Sequence, residues 1–230
     1  MPSWREKAKK RAAEEAVKLV KDGFVVGLGS GNTVAHAIAE LGRRVRVEGL
    51  QVSTVPTSYQ VFFAAIKEGL KVTSLDAHPQ LDLAIDGADE IDGKLNLVKG
   101  GGAALAREKM VAFSAKRYVI IADETKLVKK LGSTHPLPVE ILPFAASVTL
   151  ERIKKLWKKA EIREGGGKVG PLITDNGNFI VDVHCGPLKD PEKADGMLKA
   201  IPGVVETGLF LKLADVAYVG DREGRVRKLA

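Results

Sequence analysis

The sequence contains one cysteine, few aromatic residues and no long apolar run. Because Cys185 has no second cysteine to pair with, an intrachain disulfide is excluded and a reducing compartment is favoured, so we expect a cytoplasmic protein. Phe, Trp and Tyr make up 5 % of the 230 residues, which disfavours a nucleic-acid groove that stacks bases on aromatic rings. Apolar runs stay well short of the roughly 20 residues of a membrane span, and the charged N-terminal segment lacks the apolar core of a signal peptide.

The sequence does contain enough apolar residues for a packed core, 45 % of the total, beside 28 % charged residues. Its net charge of +7 indicates either attraction of anions, small phosphates or nucleic acid among them, or simply a solvated basic surface. Basic residues are interleaved with acidic ones instead of forming a block. We therefore expect a small phosphorylated partner and neither a nucleic acid nor a membrane.

Histidine and cysteine give no sign of a metal centre or a nucleophile. No H-E-x-x-H motif or paired ligand spacing occurs among the four histidines, His36, His78, His135 and His184. Cys185 directly follows His184 in a segment that resembles a strand, where neighbouring side chains point to opposite faces. We therefore predict no metal site and no Cys–His pair.

Through the first 130 residues, short apolar segments alternate with stretches of helical periodicity. Ser3 and Glu6 form a capping box for an opening helix that Gly23 ends. Strands are then predicted over residues 24–28, 50–54, 71–74, 81–85, 95–98 and 118–122, and helices over 34–41, 58–67 and 103–113. This alternation favours an α/β fold with an open, mostly parallel, Rossmann-like sheet and helices on both faces.

The pattern changes after Gly132. The predicted order becomes β-α-β-β-α-β, with strands over 136–141, 161–163, 179–183 and 204–210, helices over 147–159 and 191–200, and a hairpin turn at 175–178. This order indicates a smaller, ferredoxin-like α+β domain. A last strand, 216–220, is expected to return to the first sheet. We predict an α/β catalytic domain of residues 1–130 plus 207–230, and a small α+β domain of residues 131–206.

The loop at 29–33, Gly-Ser-Gly-Asn-Thr, links a predicted strand to a helix N-terminus. Glycines let backbone N–H groups approach an anion, the helix dipole favours negative charge there, and Ser30 and Thr33 add hydroxyl donors. No Gly-Lys-Ser/Thr follows as in a P-loop, and Val34 stands where a dinucleotide fingerprint has its third glycine. The loop indicates phosphate binding, with an ordinary strand-to-helix turn as the alternative.

Four carboxylates lie within residues 86–92, directly after a strand predicted to be buried: Asp86, Asp89, Glu90 and Asp92. In open α/β sheets, ligands bind outside the carboxyl ends of the strands. Neighbouring carboxylates push their pKa values apart, which suits acid–base chemistry. A Mg²⁺ site and a solvated acidic turn are the alternatives.

Three consecutive glycines at 100–102 follow Lys99 and precede a predicted helix that carries Glu108. Linkage alone rarely needs three glycines, because each costs conformational entropy. Lys99 supplies positive charge for an oxyanion, and the glycines expose backbone N–H groups to a ligand. Glu108, between Arg107 and Lys109, also fits a solvated helix face.

Taken together, these loops resemble the ribose-5-phosphate isomerase A family over nearly the full chain. The resemblance is carried by GSGNT at 29–33, DGADEID at 86–92 and KGGGAAL at 99–105, with Glu108 and Lys126 downstream. It implies an enzyme of the pentose phosphate pathway that converts D-ribose 5-phosphate to D-ribulose 5-phosphate through an enediolate, without metal or organic cofactor.

The same resemblance implies a role for each of four catalytic residues. Glu108 corresponds to the base that moves the proton between C1 and C2. Asp86 corresponds to the group that assists opening of the sugar ring, working with Asp89 near the C1 and C2 oxygens. Lys99 corresponds to the cation that stabilises the enediolate oxygen.

The resemblance also implies a substrate-binding set: Ser30, Gly31, Asn32, Thr33, Gly87, Ala88, Gly100, Gly101, Gly102, Lys126 and Lys9. Ser30 and Asn32 depart from the Thr and Ser of many members, but both keep their hydrogen-bonding capacity. A homodimer or homotetramer is implied as well. A non-catalytic sugar-phosphate sensor on the same fold is the alternative, and a nicotinamide dehydrogenase is disfavoured because the third glycine of the fingerprint is missing.

Overall fold

The computed structural model describes residues 3–167 and 169–230. Within these residues there are six α-helices: α1 (Trp4–Val17), α2 (Asn32–Glu48), α3 (Tyr59–Lys67), α4 (Leu105–Ser114), α5 (Ala146–Leu156) and α6 (Pro191–Lys199). The same residues form fourteen strands: β1 (Val25–Leu28), β2 (Ser53–Pro56), β3 (Lys71–Val72), β4 (Leu83–Asp86), β5 (Glu90–Ile91), β6 (Leu97–Val98), β7 (Tyr118–Asp123), β8 (Leu137–Ile141), β9 (Ala160–Ile162), β10 (Phe179–Val183), β11 (Val204–Thr207), β12 (Leu209–Phe210), β13 (Val216–Gly220) and β14 (Val226–Leu229). A 3-10 turn covers Glu124–Lys126. No helix in the described part of the chain has the length and apolar content of a membrane span.

The chain forms two compact units. The first unit consists of the residues up to Ala88, Arg107–Lys126 and Leu213–Ala230. The second unit consists of Asp89–Ala106 and Leu127–Lys212. The two units are compact parts of the structure and not independently established domains. The predicted boundaries, residues 1–130 plus 207–230 and residues 131–206, therefore stay a prediction.

The first unit contains a seven-stranded sheet in the order β14-β13-β7-β4-β1-β2-β3. All neighbours are parallel except β14, which runs antiparallel to β13 at one edge. The predicted open, mostly parallel, Rossmann-like sheet is therefore confirmed, as is the return of the last predicted strand to it. Because β1 lies between β2 and β4, the strand order reverses there, and ligands bind at such a switch point at the carboxyl ends of the strands.

Helices cover both faces of this sheet. Alternate strand residues such as Val26, Leu28 and Ile85 pack with α1, α2 and α3 in one apolar core. On the opposite face, α4 approaches so closely that a Cβ on Gly27 would lie 2.4 Å from Val111. This close approach of α4 determines where its first turn, which carries Glu108, meets the sheet edge.

The second unit contains a four-stranded antiparallel sheet in the order β11-β8-β10-β9. With α5 and α6 this gives the chain order β-α-β-β-α-β, so the predicted ferredoxin-like arrangement is confirmed. Its core includes Val139, Ile153, Val181 and Leu198. The predicted hairpin turn is present as well, since Gly177 has a φ of +78° and its N–H donates to Thr174 O.

A three-stranded antiparallel sheet, β12-β6-β5, completes the second unit and corrects two predictions. The single extended segment predicted over 204–210 is two strands in different sheets, which separate at Gly208. A Cβ on Gly208 would lie 2.3 Å from Lys99 O, so a side chain would not fit there. The strand predicted over 95–98 is β6, which pairs in this small antiparallel sheet and not in the parallel one.

Candidate active site

The loop after β1 lies at the switch point of the first unit's sheet. The N–H of Gly29 donates to Ile85 O on neighbouring β4, at 2.9 Å. Gly31 has a φ of +105° and precedes α2 as its N-cap without a side-chain hydrogen bond, so only the backbone closes the helix start. Asn32 is exposed and Thr33 is half-buried at this helix N-terminus, where an anion is favoured.

A cluster of three hydroxyl groups holds this loop from the side of β2. Ser30 Oγ lies 2.9 Å from Thr57 Oγ1 and donates to Ser58 Oγ at 2.7 Å. Thr57 donates its hydroxyl to Leu28 O, and Ser58 accepts from Val61 N–H as the N-cap of α3. Thr57 and Ser58 are not among the residues predicted from the sequence, although they directly follow a strand that ends at the same sheet edge.

Asp86 ends β4 and is 2 % exposed. Its Oδ1 accepts from the Gly87 N–H at 2.7 Å, and its Oδ2 accepts from the Tyr118 hydroxyl at 3.0 Å. A buried carboxylate needs such donors, because burying a charge without hydrogen bonds is costly. The solvated acidic turn considered above is therefore wrong for Asp86.

The pKa of Tyr118 is affected by the negative charges of both Asp86 and Glu108. Burial raises the pKa of Tyr118 well above its ordinary value of 10, and the negative charges of Asp86 and Glu108 raise it further. The hydroxyl therefore stays protonated at neutral pH and donates to Asp86. Glu108 accepts a hydrogen bond from the Ser30 N–H, and the preceding residue, Gly29, packs against Asp86, so the two carboxylates lie in the same part of the first unit.

Glu108 lies in the first turn of α4 and is 4 % exposed. Its Oε1 accepts from the Ser30 N–H at 3.3 Å. Val111, one turn later on α4, faces Gly27 on β1. Because residues three positions apart lie on the same face of a helix, Glu108 also faces the sheet, next to the loop that follows β1. The solvated helix face considered for Glu108 is therefore wrong.

In the second unit, Asp89 and Lys99 flank the β5–β6 hairpin. The Asp89 N–H donates to Val98 O, and the Lys99 N–H donates to Gly208 O, both at 2.9 Å. Lys99 is 3 % exposed, and its Nζ lies 5.4 Å from the centre of the Phe210 ring. The antiparallel pairing thus brings together the two ends of a segment that are ten positions apart in sequence.

The triple-glycine turn of the second unit is held by two side chains. Asp89 Oδ2 accepts from the Gly101 N–H at 2.8 Å. Arg163 donates to Gly100 O and Gly101 O, and its guanidinium also binds both oxygens of Asp182, at 2.8 and 2.5 Å. Gly100 has a φ of +108°, which explains one glycine of the three. Arg163 was not predicted, and nothing in the sequence around it signals this contact.

The remaining residues that were predicted to bind substrate have few described contacts that indicate their role. Lys126 ends the 3-10 turn of the first unit and is half-buried, and Gly87 lies next to Thr33. Lys9 lies on α1, where its Nζ is 2.9 Å from Glu6 Oε1. None of the contacts described for Lys9 reaches the loop after β1. Ala88 is the last residue of the first unit before the crossing to the second, and Gly102 is exposed in the second unit.

The other two acidic residues of 86–92 have structural partners. Glu90 is fully buried and accepts from the backbone N–H groups of Gly132, Thr134 and His135. Asp92 accepts from two N–H groups of its own hairpin turn. Over the residues that the structure describes, no three or more His, Cys, Asp or Glu side chains converge as metal ligands do.

Comparisons with known proteins agree on one family. The sequence model of ribose 5-phosphate isomerase A (phosphoriboisomerase A) matches residues 53–224. The ribose-5-phosphate isomerase A of Methanosarcina acetivorans is 50 % identical over 219 residues, which cover 95 % of this chain and 92 % of that protein. The enzyme of the same name from Methanothermobacter thermautotrophicus is 50 % identical over 216 residues, covering 94 % and 95 %.

Solved structures give the same result. The ribose 5-phosphate isomerase A structure from Methanocaldococcus jannaschii has a TM-score of 0.91 and 44 % identity, covering 96 % of this chain and 97 % of that one. A D-ribose-5-phosphate isomerase in complex with phospho-erythronic acid has a TM-score of 0.94 and 44 % identity, covering 98 % of both chains. Similarity of this extent spans both units described above.

Proposed function

The chain belongs to the ribose 5-phosphate isomerase A family and interconverts D-ribose 5-phosphate and D-ribulose 5-phosphate, and we propose that Glu108 is the base that moves the proton. The observation that carries this proposal is the position of its carboxylate. Glu108 is buried in the first turn of α4, against the N–H of Ser30, at the carboxyl edge where strand order reverses. A protein that only binds a sugar phosphate needs no buried base there.

The reaction requires one group that takes a proton from C2 and returns it to C1. A carboxylate is suited to both steps, because it is a base when ionised and an acid once it has taken the proton. Positioned acid–base catalysis contributes about 10²–10⁴-fold, so further stabilisation of the intermediate is needed. The hydrogen bond from the Ser30 N–H holds the Glu108 carboxylate in one orientation for both steps.

We assign stabilisation of the enediolate oxygen to Lys99. Its ammonium group is almost fully buried, and a buried charge interacts more strongly than one in water. The Gly101 N–H already donates to Asp89, so we propose that the N–H groups of Gly100 and Gly102 add donors beside Lys99, since glycine has no Cβ to hold a ligand away. Losing one such donor typically costs about 3–4 kcal/mol of transition-state stabilisation.

We assign ring opening to Asp86, and we propose that Asp89 acts with it near the C1 and C2 oxygens. As the bond between C1 and the ring oxygen breaks, a proton leaves the C1 hydroxyl and one is added to the ring oxygen. A carboxylate with a fixed orientation exchanges both protons. Asp86 has such an orientation, because each of its oxygens accepts a hydrogen bond from a buried or backbone donor.

We assign phosphate binding to the start of α2 and to Lys126, and a further substrate contact to Lys9. The N–H groups at a helix start and the hydroxyl groups of Ser30 and Thr33 are typical phosphate ligands. A related isomerase, 44 % identical, is known in complex with phospho-erythronic acid, a phosphorylated open-chain sugar acid. Its planar carboxylate resembles an enediolate, so this ligand supports a site for a phosphate and an anionic intermediate together.

We further propose that the enzyme acts in the cytoplasm as a homodimer or homotetramer, without nucleic-acid partners. Several apolar side chains of α3 and α4 in the first unit are exposed and fit an interface between copies: Tyr59, Phe63, Ile66, Met110 and Phe113. Light scattering of the purified protein measures the oligomeric state. A monomer at micromolar concentration would contradict this part of the proposal.

The test of the proton-transfer role uses ribose 5-phosphate in D₂O. Wild-type enzyme is expected to introduce solvent deuterium at C1 of ribulose 5-phosphate, seen by NMR. Glu108→Gln removes the base while keeping the shape of the side chain, so turnover should fall by about 10³-fold or more while substrate binding persists. Glu15→Gln, on the partly exposed side of α1, is the matched control. Normal turnover in Glu108→Gln would exclude Glu108 as the base.

A further inference from the structure

Tyr118 begins β7, yet its hydroxyl reaches the carboxyl edge of the neighbouring strand. In the parallel register, Tyr118 pairs with Ala84 and Ile120 with Asp86. Paired residues and every second residue share one face of a sheet, so Tyr118, Ala84 and Asp86 lie on the same face. The small side chain of Ala84 leaves space for the tyrosine ring to extend along the face to Asp86, where the hydroxyl donates to Oδ2 at 3.0 Å.

The tyrosine itself is held firmly. Its backbone N–H donates to Asp215 Oδ2 at 2.7 Å, and the Asp215 N–H donates back to Tyr118 O at 3.0 Å. The residue is 1 % exposed. Because the backbone is hydrogen-bonded to Asp215 and the side chain is buried, the hydroxyl is confined to one place, and with it the Asp86 oxygen that accepts its hydrogen bond.

We propose that Tyr118 is a positioning residue for ring opening, in that its hydroxyl holds the Asp86 carboxylate in the orientation that exchanges protons with the sugar ring. The inference rests on the proposed role of Asp86. With Oδ1 bound to the Gly87 N–H and Oδ2 bound to Tyr118, the carboxylate cannot rotate about its Cβ–Cγ bond without breaking both hydrogen bonds. Rate falls steeply when a reacting group loses its orientation.

Ring opening and proton transfer can be measured separately on this pair of substrates. Ribose 5-phosphate exists mainly as a ring and must open before its C2 proton is transferred. Ribulose 5-phosphate has no free 5-hydroxyl and stays open-chain. Exchange of its C1 hydrogen with solvent therefore requires Glu108 but no ring opening.

The variant Tyr118→Phe removes the hydroxyl and keeps the ring. Conversion of ribose 5-phosphate is expected to slow about 10- to 100-fold, as for loss of a hydrogen bond to a charged group. Deuterium exchange at C1 of ribulose 5-phosphate should continue at close to the wild-type rate. Tyr218→Phe, on β13 of the same sheet, is the matched control and should leave both rates unchanged.

A cycle of variants tests whether Tyr118 acts through Asp86. In the Asp86→Asn background, Tyr118→Phe should have no further effect on the conversion of ribose 5-phosphate, because the oriented carboxylate is already lost. Independent, multiplying effects would contradict the proposal. Melting temperatures of all variants are measured alongside.

Three results would overturn the inference. They are an unchanged conversion rate in Tyr118→Phe, whether or not its melting temperature falls, equal slowing of conversion and exchange, and multiplying effects of Tyr118→Phe and Asp86→Asn on conversion. Failure of the proposed role of Asp86 is seen differently, because Asp86→Asn alone would then convert ribose 5-phosphate at close to the wild-type rate, whatever Tyr118→Phe does.

Discussion

Gly29 and Asp86 are packed so closely that a Cβ at position 29 would lie 1.9 Å from Asp86 Oδ1. This glycine is not needed for its backbone conformation, because its φ is not in the left-handed region. It is needed because the carboxylate occupies the space of a side chain. The first glycine of the loop at 29–33 therefore makes room for a proposed catalytic group, whereas the second, Gly31, allows the backbone to start α2.

Substituting Gly29 by alanine should displace the Asp86 carboxylate. We expect activity to fall by about 10²-fold or more, because displacements near 1 Å at a reacting group have effects of this size. Conversion of ribose 5-phosphate by the purified variant is the measurement. Gly196→Ala in α6 is the control, because a Cβ there meets no atom within 4 Å and alanine favours the helix. Equal activity of the two variants would mean that the position of Asp86 is unimportant for turnover.

Exhaustive chelation should leave the rate unchanged. The carboxylates proposed to act on the substrate already accept hydrogen bonds. Asp86 accepts from the Tyr118 hydroxyl and the Gly87 N–H, and Asp89 accepts from the Gly101 N–H. A Mg²⁺ ion would require several such oxygens to converge on it. The measurement is turnover after dialysis against EDTA, with and without added Mg²⁺. Inhibition that Mg²⁺ reverses would instead support a metal site in the acidic loop.

Glu90 should contribute to stability at neutral pH but not at acidic pH. Burial raises the pKa of Glu90, but hydrogen bonds from Thr134, His135 and Gly132 outweigh it and hold the pKa below its ordinary value of 4.5. A lowered pKa in the folded state means that this contribution is present above the unfolded pKa and is lost as the pH falls through the folded pKa.

The test is Glu90→Gln, studied by urea unfolding from about pH 7 down to about pH 3. At neutral pH the free energy of unfolding of the variant should be about 2–3 kcal/mol lower than that of the wild type, because a backbone N–H donor would then face the amide N–H₂ group of the glutamine. The difference in free energy of unfolding between variant and wild type should become smaller below pH 4.5. Glu151→Gln on the exposed face of α5 is the control. A difference that is constant over the whole range would contradict the ionised state assumed for Glu90.

Cys185 should react slowly with thiol reagents in the folded protein. Burial raises the pKa of its thiol to about 11, and the charge of Glu90 acts in the same direction. Because the thiolate is the reactive form, we expect alkylation near neutral pH to be about 100-fold slower than in urea-unfolded protein. Mass spectrometry after timed iodoacetamide treatment measures both rates. Equal rates would show that the thiol is accessible and ionises normally.

Much of the fold could be predicted, because the apolar strands and the glycines that follow them are strong local signals. The prediction failed for segments whose secondary structure depends on pairing with a distant part of the chain. β14 is half charged, and it is a strand because it pairs with β13 at the sheet edge. α2 extends beyond the predicted end at residue 41, because Arg43 and Arg44 form ion pairs with glutamates in its polar last turns before Gly49 closes it with a φ of +72°.

The family and its reaction were predicted correctly, because three loop motifs occur in order with their downstream Glu and Lys. The roles of the individual residues stay predictions. Burial of Glu108 could not be predicted, because a glutamate between Arg107 and Lys109 has the local sequence of a solvated helix face. The contact of Tyr118 with Asp86 was also missed, since a tyrosine within an apolar strand has the pattern of an ordinary core residue.

In the β5–β6 hairpin, the pairing at the base does not depend on the number of residues at the tip. Asp89 and Lys99 are joined at the base by antiparallel pairing, while Gly93 and Lys94 at the tip are exposed. Residues inserted or deleted in pairs at that tip would leave the base pairing unchanged. Evolution can therefore change the number of residues between the two motifs here at little cost, whereas a single-residue insertion within β5 or β6 would turn alternate side chains to the wrong face.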